Sequence, residues 1–233
     1  MPNWTILCDF DGTISVEDIT DTLLVRFARS GWEEIEQAWK RGEIGSRECM
    51  AQQIALLDVS RAELDAHLDQ MSIDRDFAAF ATAVEEAGLP MTVLSDGLDY
   101  SIRRILGRNG LARLPVAANH LIASGERSWR LEFPYANVDC RSGNCKCASS
   151  AIAHGERQRV LVIGDGASDF CVAGSADFVF AKHRLVEHCR AAGIAHLRID
   201  GFADALALLP RLLAGELDAL HAAPTPLPSL RVA

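Results

Sequence analysis

Three short apolar runs punctuate the chain, at residues 5–8 (TILC), 91–94 (MTVL) and 160–163 (VLVI), and each breaks off into small and acidic residues. An apolar run of this length, bounded by turn residues, is the pattern of a strand buried on both faces. A helix-like segment follows each ending, which predicts strand–loop–helix units in a parallel sheet. Ligands of such sheets sit beyond the carboxyl ends of the strands. Three runs with polar endings therefore predict one shared site. Residues 177–180 and 196–199 read as further strands, and residues 119–124 and 129–133, around Gly125 and Glu126, read as a small β-hairpin insert.

Residues 16–88 carry a different rhythm. Trp32, Ile35 and Trp39 share one helical face, as do Leu64, Leu68 and Met71, then Phe77, Phe80 and Val84. Ser60 and Glu63 have the spacing of a capping box. A strand–helix–strand crossover needs only about a dozen residues. The excess predicts a helical cap inserted at 16–88, beside an α/β core made of residues 1–15 and 89–221. Its outgoing boundary is soft, since a helix near 75–87 suits either part. Trp32, Trp39 and Phe27 are expected to pack rather than to touch a substrate. A helix over 101–109 should stop at Gly110. Another should run to about residue 220, bent at Pro210, before a mobile tail at 222–233 that carries three prolines. The fold class expected is α/β, a Rossmann-like doubly wound parallel sheet.

Composition narrows the function. Hydrophobic residues make up 49 % of the chain, enough for a substantial core. A net charge of −9 argues against a general nucleic-acid binder, which needs a basic face. No apolar run approaches the ~18 residues of a membrane span, and no signal peptide is visible at the start. Seven cysteines, an odd number in a chain too long to need disulfide staples, suit reduced thiols in the cytoplasm. Cys140, Cys145 and Cys147 lack the spacing of a zinc knuckle, and ordinary thiols are expected there.

The chemistry lies at the strand ends. Asp9 and Asp11, in DFDGT, are carboxylates separated by one residue, so they can take different roles. A carboxylate held in line with phosphorus can form an acyl phosphate while a second one handles a proton. Alone, the pair is equally ordinary turn chemistry. Ser95, Asp96 and Gly97 follow the second run and offer a hydroxyl and exposed amides to phosphate oxygens. Lys146 stands at a loop-to-helix junction, where an ammonium can neutralise both a phosphoryl oxygen and a carboxylate. Asp165 and Asp169, in GDGASD, frame a glycine turn after the third run. Carboxylates converging from three loops would repel one another without a cation, and an all-oxygen set suits Mg²⁺.

In this order the elements resemble the haloacid-dehalogenase-like (HAD) hydrolase superfamily, with its D-x-D-G-T, Ser or Thr, Lys and G-D-x-x-x-D pattern. The match spans Asp9 to Asp169. The resemblance implies Asp9 as nucleophile, Asp11 as general acid/base, and Ser95, Asp96, Gly97 and Lys146 around the phosphoryl group. It implies Mg²⁺ held by Asp9, Asp11, Asp165 and Asp169. A second aspartate at position 11 separates phosphatases from the members that cleave carbon–halogen bonds. The helical insert resembles the phosphoserine-phosphatase-like branch, in which an acidic residue after the first motif and a cap arginine contact the substrate. Asp18 and Arg47 are the candidates here, although Asp18 stands where a glutamate is usual. The segments around Asp9, Ser46 to Glu48, Ser95 and Lys146 look closest to phosphatases of methionine salvage. The expected activity is hydrolysis of a small-molecule phosphomonoester. Alternatives are phosphoryl transfer to a second hydroxyl and, with no catalytic position lost, the less expected case of a silent binding protein.

Overall fold

A computed structural model describes residues 3–218, and the tail expected at 222–233 lies outside the described residues. Seven strands form one sheet in the order β4-β3-β2-β1-β5-β6-β7. They are β1 (Trp4–Cys8), β2 (Met91–Leu98), β3 (Val116–Ala123), β4 (Trp129–Glu132), β5 (Arg159–Gly164), β6 (Phe178–Ala181) and β7 (His196–Arg198). All neighbours pair in parallel except β3 and β4. The central position of β1, between β2 and β5, puts the three polar strand endings side by side.

Side-chain alternation explains why the strands read as unbroken apolar runs. Ile6, Cys8, Leu161, Ile163, Phe178 and Phe180 face one core, while Leu7, Val160, Val162, Val179 and Ala181 face another. The first face is covered by α5 (Phe77–Glu86), α6 (Asp99–Arg108) and α10 (Phe202–Leu213), the second by α7 (Lys146–Gly155), α8 (Phe170–Ala173) and α9 (His183–Ala192). With both faces buried, every second position must be apolar on either side.

Between β1 and its neighbour β2 the chain makes its helical excursion: α1 (Ile19–Phe27), α2 (Trp32–Lys40), α3 (Ser46–Ala55) and α4 (Arg61–Leu68) precede α5. An isolated antiparallel bridge between Ser15 and Ile73 closes the base of this excursion. The last helix lies beyond the bridge. Phe77 and Phe80 of α5 pack their rings on Phe202 of α10, at centroid separations of 4.7 and 5.2 Å, so α5 covers the sheet. The inserted helices are therefore α1 to α4. Trp32, Trp39 and Phe27 are half-buried there.

The hairpin also takes a different place from the one its sequence suggests. β3 pairs in parallel with β2 as well as antiparallel with β4, so the hairpin widens the main sheet instead of standing apart from it. It grips the inserted helices: Trp129 Nε1 donates to the Val59 carbonyl at 2.8 Å, and Arg127 pairs with Asp58 and Glu63. Pro210 lies inside α10. No helix among the described residues is long and apolar enough to cross a membrane.

Candidate active site

Asp9 follows β1 directly and is almost fully buried. Its Oδ1 accepts from Lys146 Nζ at 2.7 Å, and the same ammonium reaches Asp169 Oδ1 at 2.6 Å and Ser168 Oγ at 3.2 Å. Lys146 begins α7 and is 4 % exposed. Burial opposes its charge, but Asp169 and Asp9 outweigh that and hold its pKa above an ordinary lysine's. Asp169 fixes the turn it belongs to, its Oδ2 accepting from the amides of Asp165 at 3.1 Å and Gly166 at 3.4 Å.

Carboxylate oxygens of Asp9, Asp165 and Asp169 lie within 4.8 Å of one another, the only such convergence of three potential ligands among the described residues. Burial, and then the neighbouring Asp169 carboxylate, raise the pKa of both Asp9 and Asp165. One ammonium does not offset these carboxylates together with nearby Asp11. The residues therefore fit a small hard divalent cation such as Mg²⁺, which takes oxygen ligands and would relieve the repulsion. The backbone makes room for this crowding. Gly12 is left-handed at φ +70°, and a Cβ there would stand 2.7 Å from Asp165 Oδ2.

Asp11 has other company. Its Oδ1 accepts from the Ile19 amide at the start of α1, at 2.9 Å, and its Oδ2 from Ser95 Oγ at 3.4 Å. Its carboxylate is thus directed at Ser95, outside the three-aspartate cluster. Burial raises its pKa to about 6, against the hydrogen bond from Ile19 and the charge of Lys146. That value suits proton transfer near neutrality. Ser95 is buried, and its Oγ also accepts from the Gly97 amide at 2.9 Å.

Three sequence candidates also make structural contacts that their motifs do not announce. Arg47 Nε donates to the Ser142 carbonyl at 3.2 Å, and Nη2 donates to the carbonyls of Asn137, at 2.9 Å, and Cys140. A guanidinium so engaged clasps the loop before α7 through Nε and Nη2. Arg141 of that loop reciprocates, donating to the Gly42 and Glu43 carbonyls. Asp96 turns its carboxylate away from Asp9 toward Ser46 Oγ at 2.6 Å and the Asn144 amide at 2.9 Å. Asp18 caps α1, accepting from the Asp21 amide at 3.0 Å, and burial and then the nearby Asp11 charge raise its pKa to about 8.

Other residues joined the site unannounced. Lys182, just after β6, donates to the Thr13 carbonyl at 3.1 Å and pins the first loop from below. Ser168 lies inside the GDGASD turn and touches Lys146. The strand ending before Lys182 was the one cue available, and a lysine after a strand is too common to single out.

These strand-end loops, with a lysine between two aspartates, define a class. Residues 6–174 match the family described as haloacid dehalogenase-like hydrolase, and the chain belongs to it. Within that family it resembles named phosphatases. It is 32 % identical to a 2-hydroxy-3-keto-5-methylthiopentenyl-1-phosphate phosphatase of Exiguobacterium sp., over 85 % of this chain and 94 % of that protein. A protein of the same name from Bacillus pumilus is 30 % identical, over 85 % and 87 %. Among solved structures, a phosphoserine phosphatase carrying a phospho-aspartyl intermediate analogue aligns at a TM-score of 0.68, with 18 % identity over 89 % of this chain and 99 % of that one. A substrate-bound phosphoserine phosphatase aligns at 0.66, with 17 % identity over 89 % and 98 %. At such identities the structural likeness speaks for the fold. The sequence relatives speak for the activity class: the chain is a HAD-type phosphatase.

Proposed function

We propose that the chain hydrolyses a small-molecule phosphomonoester through an aspartyl-phosphate on Asp9, with Mg²⁺ as cofactor. The observation that carries this reading is the division of labour between two carboxylates at one strand end. Asp9 lies against Lys146 and the aspartate cluster, and Asp11 lies against Ser95.

Asp9 Oδ2, the oxygen not bonded to Lys146, attacks phosphorus while the bond from phosphorus to the leaving oxygen breaks, and protonated Asp11 delivers its proton to that oxygen. Asp11, now a carboxylate, removes a proton from water as the water oxygen attacks the phosphorus of the aspartyl-phosphate. Inorganic phosphate leaves, and Asp9 is restored. Lys146 holds Asp9 in one rotamer and supplies positive charge to the phosphoryl oxygens, as do the Ser95 hydroxyl and the backbone amides around it. Mg²⁺, held by Asp9, Asp165 and the Asp11 carbonyl and supported by Asp169, supplies charge neutralisation of the phosphoryl group when bound.

The named relatives put 2-hydroxy-3-keto-5-methylthiopentenyl 1-phosphate first on a substrate panel. Phosphoserine belongs on it as the contrasting amino-acid ester. A cytoplasmic setting accords with the seven unpaired thiols. The test is phosphate release across such a panel, with Mg²⁺ and with chelator, for the wild type and Asp9→Asn. The variant is expected to lose turnover and phosphoenzyme together. A variant that keeps either one sinks the assignment of Asp9. Release that requires an added acceptor alcohol would move the chain to the phosphotransferases.

A further inference from the structure

Lys146 and Ser95 come from opposite sides of the site, one from the start of α7 and one from the end of β2, and no direct contact joins them in the hydrogen-bond network described above. Asn144 does. It is 1 % exposed, and its Nδ2 donates to the Ser95 carbonyl at 3.0 Å and to the Ala117 carbonyl at 2.7 Å. Its backbone amide donates to Asp96 Oδ1 at 2.9 Å. It lies two residues before Lys146, just ahead of the Cys145 cap that opens α7.

The place where Asn144 inserts has a structural reason. The pairing register of β2 and β3 shifts between Leu94 and Leu98, so Ser95–Gly97 form an irregular stretch within β2. The Asn144 amide bridges the two strands across that shift. Asp96 closes the same unit from the other side. It receives Ser46 Oγ from α3, at 2.6 Å, and Asn119 Nδ2 from β3, at 3.2 Å to its Oδ1. Asn119 is wholly buried as well. The Asn144 Oδ1 has no hydrogen-bond partner. The polar contacts of this side chain are therefore those of its amide nitrogen, one to the Ser95 carbonyl of β2 and one to the Ala117 carbonyl of the neighbouring β3.

We propose that Asn144 is a positioning residue that sets Ser95 and Lys146 on the phosphoryl group as one unit, with Asp96 as its anchor. This rests on the reading of Ser95 and Lys146 as phosphoryl-binding groups. One side chain fixes the loop that presents the hydroxyl. The same residue's backbone fixes the start of the helix that presents the ammonium. A misplacement on the order of 1 Å at such groups costs about 10²-fold in rate.

The test combines Asn144→Ala with Ser95→Ala, singly and together, under Mg²⁺ with p-nitrophenyl phosphate and with orthovanadate as inhibitor. Asn144→Ala is expected to lower kcat by about 10²-fold with a smaller change in KM, and to weaken vanadate inhibition in parallel. In the Ser95→Ala background the same change should add less than about threefold, because the hydroxyl that the side chain positions is already gone. Fully additive losses would overturn the proposal, as would an Asn144→Ala enzyme that keeps wild-type kcat. Should Asn144→Ala fail to fold, Asn144→Ser retains one donor, and its loss must be non-additive with Ser95→Ala in the same way. Ser95→Ala and Lys146→Ala measured alone test the underlying reading: if both keep wild-type rates, that reading fails, whatever Asn144 does.

Discussion

Two carboxylates separated by a single residue meet different surroundings here, and that difference predicts different failures. Asp11 is held up to about 6 by burial and touches Ser95 and the α1 amide, away from Lys146. Asp11→Asn removes a proton donor but leaves Asp9 and Lys146 in place. The expected loss in kcat is about 10²- to 10⁴-fold on an alkyl phosphate, whose leaving oxygen needs the proton. An aryl phosphate needs far less help to leave, so the variant should still form the aspartyl-phosphate but not discharge it. Mass spectrometry of the quenched variant should then show one added phosphoryl group. Equal losses on both substrates without accumulation would remove Asp11 from the proton path. Residues of this kind were legible in the sequence because their chemistry sits at strand ends, a few positions from an apolar run. Arg47, Asp96 and Asn144 were not. What each one touches is a set of polar groups from segments about 23 to 95 residues away, and no local pattern encodes that company.

Element by element, the strands were the most readable feature, since a sheet buried on both faces must be apolar at every position. The hairpin was legible as a hairpin, but its pairing with β2 was not, because a strand that pairs on both edges looks no different in sequence from one that pairs on one. The capping box at α4 is formed as its spacing predicts. Ser60 Oγ accepts from the Glu63 amide at 3.4 Å, and Glu63 Oε2 accepts from the Ser60 amide at 2.8 Å. Ser60→Ala should cost about 1 kcal/mol in unfolding free energy. The Ser60 hydroxyl and amide, then Arg127, hold the Glu63 carboxyl down to about 2. A carboxyl depressed in the fold contributes stability that is complete above its unfolded value and is lost as pH falls through its folded one. The contribution of Glu63 should therefore fade between about pH 4.5 and pH 2. Urea midpoints of the wild type and Glu63→Gln should converge over that window and stay apart at pH 6. A constant gap at every pH would show that the ion pair and the cap contribute nothing through charge.

For the whole molecule, the net charge of −9 and the aspartate cluster act in the same direction. Folding brings Asp9, Asp165 and Asp169 together against their mutual repulsion, with the Lys146 ammonium in contact and Lys182 nearby as internal counter-charges. The site is thus a place where function opposes stability, and a bound divalent cation should reverse the sign. At a free Mg²⁺ concentration near 100 times its dissociation constant the gain is about 2.7 kcal/mol, which for a domain of this size raises Tm by roughly 5–10 °C. Asp165→Asn carries the sharper expectation. It removes one of the repelling charges and one ligand, so the metal-free variant should melt no lower than the metal-free wild type. Its Tm should then barely respond to Mg²⁺. The measurement is thermal unfolding of both proteins with Mg²⁺ and with chelator, followed by the same series with Asp204→Asn as a control carboxylate remote from the cluster. The variant's response to Mg²⁺ decides the matter, because screening of the general negative charge would raise all three proteins alike, whereas a cation seated among Asp9, Asp165 and Asp169 raises only the two that keep the set intact.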